Sequence, residues 1–308
     1  MTRVAAIDCG TNSLRLLVAD VDDAAGTLVD LERHTRIVRL GQGVDRTGRF
    51  ADEALVRTFD VAREYAGRID ALGADRVRFV ATSASRDASN RGEFFAGVRA
   101  TFGVEADVIS GDEEAGLSFA GATRELAGGH RFAAPYLVVD IGGGSTEFVL
   151  GSGGVDNARS VDVGCVRLTE RHLRHDPPTA AEIEAARADV VEAIELAARD
   201  VPMQRAATVV GLAGSVTTVA ALALNLKEYD ASVIHHARIS ASDVHEISRR
   251  LLTMTHEQRA AEPVIHSGRV DVIGAGALIL DAVMHQLGVG ELVVSEHDIL
   301  DGIAFSIA

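Results

Sequence analysis

The chain has 308 residues, 47% of them apolar, with 30 basic and 45 acidic side chains and a formal charge of −15. That length suffices for two domains with separate cores, and the acidic balance excludes a global field that would draw in nucleic acid or an anionic membrane. Two cysteines, Cys9 and Cys165, are too few for a disulfide framework and fit a reducing, cytoplasmic setting as small buried residues.

The start, MTRVAAID, has no basic stretch ahead of an apolar run, so no signal peptide is expected. Arg3–Asp8 and Leu14–Asp20 read as a strand hairpin across an Asp-x-Gly turn. Asp22–Gly26 is turn-like, and Leu31–Leu40, carrying Arg33, Arg36 and Arg39, reads as a third strand before a polar loop at Gly41–Arg49. Asp52–Leu72 has helical periodicity and ends at Gly73. Val77–Thr82 is an apolar strand meeting the polar run SASRDASN, which holds Arg86. Glu93–Phe102 is helical and Glu105–Ile109 a strand. Ser110 or Asp112 then caps a helix reaching about Leu126, with Glu113 and Glu114 in its first turn. Acids there compensate a helix dipole, so composition alone does not make them catalytic. Their place, straight after a strand, leaves a functional role open.

Gly128–Ala134 is the expected crossing between domains. LVVDIGGGSTEFVL (Leu137–Leu150) follows: a strand ending in Asp140, three glycines with Ser145 and Thr146, then a strand from Glu147. Consecutive glycines let a backbone approach a ligand and aim several N–H groups at one anion, and a strand-end acid can hold a hydrated Mg²⁺. By itself the stretch has a second, less favoured reading as a glycine-rich hairpin with incidental acids. The amino terminus repeats it: Asp8 matches Asp140, Gly10 matches Gly142, Ser13 matches Ser145, and Arg15 falls where Glu147 does. Two such hairpins point to duplicated domains and phosphoryl transfer. Beyond them, Ser160–Cys165 leads into RLTERHLRHDPP. His172 and His175 there are at helical spacing, but beside several arginines they fit a solvated face better than a metal site. Ala180–Arg199 is an amphipathic helix. Ala206–Leu226 is uncharged and long enough to span a membrane, yet its glycines divide it into strand, GLAGS turn and buried helix. Ser242–Met254 is helical, HSGRVD precedes an apolar helix to Leu287, Glu291–Ser295 is the last strand and Asp298–Ile307 the last helix.

IDCGTNSLRLLV, DIGGGSTEFV and GLAGSVTT together resemble the acetate kinase/sugar kinase/Hsp70/actin fold. Within it, ATSASRDASN, ISGDEEAG, DVGCVRLTE and HSGRVDVIGAGALIL resemble, in order, blocks of the exopolyphosphatase/guanosine-pentaphosphate phosphohydrolase family, over essentially the whole chain. The resemblance implies an α/β fold of two duplicated actin-like (ribonuclease H-like) domains facing across an active-site cleft. Their expected bounds are 1–127 and 128–296, with the last helix, about 297–308, returning to the first. It implies Mg²⁺-dependent release of orthophosphate from the end of inorganic polyphosphate, with Mn²⁺ as the alternative metal and no nucleic-acid or membrane partner; it leaves room for a homodimer. Glu114 would be the base that activates water and Glu147 the second essential carboxylate. Asp8 and Asp140 would place the metal. Gly142, Gly143, Gly144 and Ser145 would cradle the phosphoryl group with Thr11, Asn12 and Ser13 opposite, and Arg15, Arg86 and Arg269 would contact substrate phosphates.

Positioning, charge neutralisation and an oriented nucleophile are what such a reaction needs, and arginine forks match phosphate oxygens. Two departures stand out. Many relatives carry arginine where this chain has Gly116 and Asp301, which removes positive charge from the expected substrate path. With no further helical domain in the sequence, this predicts a short-form enzyme favouring shorter chains. Rival readings are guanosine pentaphosphate hydrolysis to the tetraphosphate, a sugar or acetate kinase of the same fold, and a non-catalytic sensor of polyphosphate or an alarmone.

Overall fold

The computed structural model describes residues 1–128 and 131–308. They divide into two compact units, Met1–Arg124 with Asp298–Ala308, and Glu125–His297.

The first unit contains β1 (Thr2–Cys9), β2 (Ser13–Asp22), β3 (Thr27–Ile37), α1 (Val44–Thr47), α2 (Asp52–Leu72), β4 (Arg76–Ala81), α3 (Ser83–Asp87), α4 (Arg91–Phe102), β5 (Ala106–Val108) and α5 (Gly111–Gly128), whose end runs into the second unit. The sheet order is β3-β2-β1-β4-β5, antiparallel among the first three and parallel from β1 to β5. Both faces are covered, so β1 reads as a continuous apolar run. Ala5, Ile7 and Cys9 face a core with Leu55, Tyr65, Phe79 and Phe94, while Val4 and Ala6 face one with Ile299, Leu300 and Ile303 of the C-terminal helix (Ile299–Ser306).

The second unit adds β6 (Tyr136–Ile141), β7 (Thr146–Gly151), β8 (Val155–Val161), α6 (Cys165–His172), α7 (Ala180–Ala198), β9 (Thr208–Leu212), α8 (Ala213–Ala223), α9 (Ala231–Ile234), β10 (Arg238–Ser240), α10 (Ala241–Thr253), α11 (His256–Ala260), α12 (Ile273–Leu287) and β11 (Glu291–Val294). Its sheet order is β10-β11-β9-β6-β7-β8. Taken from the other edge, β8-β7-β6-β9-β11 repeats the first sheet strand for strand, with the same parallel and antiparallel senses. This is a duplicated α/β fold of the actin-like, ribonuclease H-like type.

Several elements differ from the sequence expectation. β3 begins at Thr27 and ends at Ile37, because it is a largely exposed edge strand with no apolar alternation to mark its ends. α1 lies inside the expected loop at Gly41–Arg49, bracketed by Gly43 and Gly48 in left-handed conformations, and α3 lies inside SASRDASN; both are too short to carry a helical period. β8 begins at Val155, ahead of Ser160, with its first residues exposed. The crossing expected at Gly128–Ala134 includes Gly129 and His130, which lie outside the described residues. Ala206–Leu226 is divided between β9 and α8 at Ala213, whose φ is +67°, and no described helix is long and apolar enough to cross a membrane.

Two glycines bring the C-terminal helix against α5. A Cβ on Gly302 would lie 2.0 Å from the Leu117 carbonyl oxygen, and one on Gly121 would lie 1.9 Å from the Asp298 carbonyl oxygen. Neither neighbour is a side chain that can swing away. Gly302→Ala is therefore expected to destabilise by about 1–3 kcal/mol, as overpacking does. Gly116→Ala, also on α5 but with nothing within 4 Å of its Cβ, is expected to be neutral or to stabilise by up to about 1 kcal/mol through helix propensity. Urea unfolding of the two variants checks the contrast.

Candidate active site

In the first unit the carboxyl ends of the parallel strands β1 and β4 carry the expected residues, the usual place for ligands in open α/β sheets. Asp8 is the penultimate residue of β1, opposite Arg15 on β2 and Val80 on β4. The turn that follows is held by its own backbone: Gly10 N–H donates to the Ser13 carbonyl at 3.0 Å, Gly41 N–H to the Thr11 carbonyl at 2.8 Å, and Val38 and Arg39 N–H to the Asn12 carbonyl. The Thr11 and Ser83 hydroxyls share a hydrogen bond of 2.9 Å. The connection after β3 and the start of α3 thus fix Thr11, Asn12 and Ser13 beside Asp8.

Asp8 is 5% exposed, and its two oxygens differ. Oδ2 accepts from Arg15 Nε at 2.9 Å, whereas Oδ1 is buried with no hydrogen-bond partner. Burial pushes the carboxyl's pKa up, Arg15 pulls it down, and Asp298 pushes it up again. A buried carboxylate oxygen without a donor costs free energy unless something satisfies it, and a hard, oxygen-seeking cation fits that vacancy of partners. Arg15 was expected to reach phosphate. Its guanidinium instead pairs with both Asp8 and Asp298.

Glu114 stands in the first turn of α5, just past β5, with its N–H bonded to the Ser110 carbonyl at 2.9 Å. Arg86 Nη1, in the last turn of α3, donates to Glu114 Oε2 and to the Ile109 carbonyl, both at 2.9 Å. The structure thus brings Arg86 and Glu114 together, with the arginine fixing one carboxylate oxygen.

In the second unit Asp140 and Glu147 are directly opposite each other on β6 and β7, the register that Asp8 and Arg15 occupy on β1 and β2. Gly142 N–H donates to the Ser145 carbonyl at 3.0 Å, reproducing the Gly10–Ser13 bond. Glu147 is buried and accepts from the Ser160 hydroxyl at 2.7 Å. The glycine carbonyls all point at α6. Gly142 O accepts from Cys165 N–H, Gly143 O from Val166 and Arg167 N–H, and Gly144 O from Arg167 Nε, at 2.8–3.1 Å. In a trans peptide the following N–H points the opposite way, so those of Gly143, Gly144 and Ser145 turn away from α6 together. Several N–H groups aimed one way are the arrangement that backbone anion cradles use. Gly164 keeps α6 close: a Cβ there would lie 2.5 Å from the Gly143 carbonyl carbon.

Arg269, in a 3₁₀ turn at Ser267–Arg269, lies flat on the GLAGS turn, since a Cβ on Gly214 would fall 1.6 Å from its Nη1. Cys165 and Ser215 meet below, where Gly276 of α12 leaves room for the Ser215 hydroxyl. Burial raises the pKa of both Cys9 and Cys165, which keeps the thiols protonated and unreactive.

One expectation about another residue resolves differently. Asp301 was taken as charge lost from the substrate path. It is buried instead, accepts both Arg33 Nη1 at 3.2 Å and Nη2 at 2.5 Å, and receives the Asp298 N–H in a capping box, so it serves the C-terminal helix. His172 and His175 do not converge: one pairs with Asp189 and the other with Glu182. Sequence reasoning missed a cluster of Glu125, His235 and His297, whose potential ligand atoms lie within 4.8 Å of one another. His235 Nδ1 accepts from Glu296 N–H, so in the neutral ring Nε2 carries the proton and faces Glu125. That is a hydrogen-bond relay, not a lone pair offered to a metal. Residues scattered over positions 125, 235 and 297 give no signal by spacing.

Fold and site together define an enzyme of actin-like architecture built to handle phosphoryl groups. The chain belongs to the Ppx/GppA phosphatase family, whose sequence profile matches residues 17–308. It is 53% identical over 319 aligned positions to Exopolyphosphatase 2 of Mycobacterium tuberculosis, an alignment covering 100% of this chain and 99% of that protein. A solved exopolyphosphatase-like protein superposes with a TM-score of 0.96 at 46% identity, over 99% of this chain and 97% of the other. The Aquifex aeolicus PPX-GPPA enzyme gives a TM-score of 0.81 at 31% identity, over 99% of each chain.

The atoms nearest a methyl group at Gly214 would be those at the far end of Arg269. Gly214→Ala is expected to leave unfolding within about 1 kcal/mol of wild type and to raise KM for a phosphate substrate about tenfold by displacing the guanidinium. Parallel melts and steady-state kinetics measure both.

Proposed function

We propose that this protein is an exopolyphosphatase: it hydrolyses the terminal anhydride of inorganic polyphosphate, releasing orthophosphate and a chain shorter by one phosphate. The observation that carries the reading is the Gly142–Ser145 backbone cradle beside the buried Asp140–Glu147 pair. The 53% identity to a protein named Exopolyphosphatase 2 supports polyphosphate as the substrate.

In this reading the terminal phosphoryl group sits on the N–H groups of Gly143, Gly144 and Ser145. Thr11, Asn12 and Ser13 contribute the second hairpin's polar groups. Glu114 accepts the proton of the attacking water as the new P–O bond forms. Arg86 holds one Glu114 oxygen, which fixes the orientation of the carboxylate toward the water. The P–O bond to the next phosphate breaks, and its oxygen leaves with the shortened chain. Glu147, held by Ser160, is the second carboxylate. Arg269 takes phosphate oxygens further along the substrate. Asp8 and Asp140 would hold Mg²⁺, or Mn²⁺ in its place, which when bound supplies charge neutralisation for the phosphoryl oxygens. Of the two charge departures, only Gly116 still bears on the preference for shorter chains. That α5 position lies two residues after Glu114 and is open, where an arginine would add grip.

Guanosine pentaphosphate hydrolysis would use the same carboxylates. Orthophosphate release with Mg²⁺ from short and long polyphosphate, guanosine pentaphosphate and ATP, run in parallel, separates the readings. We expect polyphosphate, the shorter chains first, to be the best substrate; faster release from guanosine pentaphosphate would replace this proposal with the alarmone activity. Glu114→Gln is expected to reduce kcat by about 10²–10⁴-fold with substrate binding retained. A variant that kept wild-type turnover would remove Glu114 from the role of base.

A further inference from the structure

Arg15 poses an electrostatic problem for a cation at Asp8. A guanidinium bonded to a carboxylate neutralises it, and a neutral pair has little attraction for a divalent ion. Here the neutralisation is answered by a second acid. Arg15 spans two buried carboxylates, Asp8 through Nε and Asp298 through Nη1. Asp298 is 5% exposed and is itself held from behind: its Oδ1 accepts Leu300 N–H at 3.0 Å, and its own N–H donates to Asp301 Oδ2 at 2.9 Å. Asp301 is locked by Arg33, whose Nε also binds Asp30 at 2.7 Å. The start of the C-terminal helix, 290 residues along the chain from Asp8, is thus fastened to the strand end that bears it.

We propose that Asp298 is a positioning residue for the Asp8 site, acting through Arg15. It fixes the guanidinium so that only Asp8 Oδ2 is occupied and Oδ1 is presented. It also returns the local charge of the Asp8–Arg15 pair from zero to one negative, so that the site attracts a cation. The inference rests on reading Asp8 as the metal-bearing carboxylate. It assigns Arg15 to holding that carboxylate, not to gripping phosphate. It also gives the C-terminal helix a role in the site besides covering the sheet.

The test is direct Mn²⁺ binding to substrate-free protein, by electron paramagnetic resonance or calorimetry at fixed ionic strength, with thermal melts alongside. Asp298→Asn keeps a side-chain oxygen to cap Leu300 and removes only the charge. It is expected to weaken Mn²⁺ binding about tenfold, since one buried charge near a divalent ion outweighs solvent screening. Arg15→Gln with Asp298→Asn restores the same local charge as wild type, and is expected to recover affinity to within about threefold. Arg15→Gln alone is expected to bind more tightly than wild type. A merely structural role for Asp298 would give no recovery in the double variant. Wild-type affinity in Asp298→Asn, a double variant no better than the single, or weaker binding in Arg15→Gln would each overturn the proposal. Wild-type protein that takes up no Mn²⁺ would overturn it together with the metal reading of Asp8, while polyphosphate hydrolysis is scored separately.

Discussion

Three carbonyls turned toward one helix start are what the second unit's chemistry depends on. Gly142, Gly143 and Gly144 give their oxygens to N–H donors of Cys165, Val166 and Arg167 and to the Arg167 side chain, and peptide planarity then commits the opposite N–H groups to the other side. No charged side chain is needed to make this an anion site. Its cost is steric, because the loop and α6 approach so closely that residue 164 has no room for a side chain. Gly164, Gly214 and Gly276 are therefore one device: each removes a methyl where α6, the GLAGS turn, Arg269 and Ser215 must close-pack around the cradle.

The first unit builds the same hairpin and solves a different problem with it. Gly10 N–H to Ser13 O repeats Gly142 N–H to Ser145 O. The strands pair in the same register, and the next parallel strand ends beside the same acid. What the first unit adds is Glu114 at the start of a long helix, clamped by Arg86.

Much of this was legible in the sequence, for identifiable reasons. The duplicated Asp-x-Gly hairpins are short-range patterns, and a short-range pattern survives into structure because strand pairing across a tight turn leaves one register. Hence Asp8 and Arg15, and Asp140 and Glu147, could be matched from residues alone. Arg269 could be singled out by its motif, but its seat on Gly214 could not, since that contact joins residues 55 positions apart. The error over Asp301 has the same origin. An acid in the sequence carries no mark of burial, and its partner, Arg33, lies on an edge strand 268 residues earlier. α1 and α3 escaped notice because helices of four or five residues are made by local hydrogen bonds and flanking glycines, not by an apolar period.

The residue opposite the strand-end acid shows how the two copies diverged. At one structural position the first unit has Arg15 and the second has Glu147. A cation opposite Asp8 pins one carboxylate oxygen and subtracts charge, so that site becomes rigid and only weakly anionic once Asp298 is counted. An acid opposite Asp140 sets two buried carboxylates side by side, and buried charges persist only with hydrogen-bond or ionic partners, of which Ser160 is one for Glu147. The second copy therefore sets two acids side by side, and the first is the one in which an arginine pins the acid. Phosphoryl transfer in general draws on both properties: a rigid frame to align the reacting group, and carboxylates that can share a cation beside a polyanion. The two hairpins share one register, and the opposite charges of Arg15 and Glu147 at equivalent positions are what set them apart.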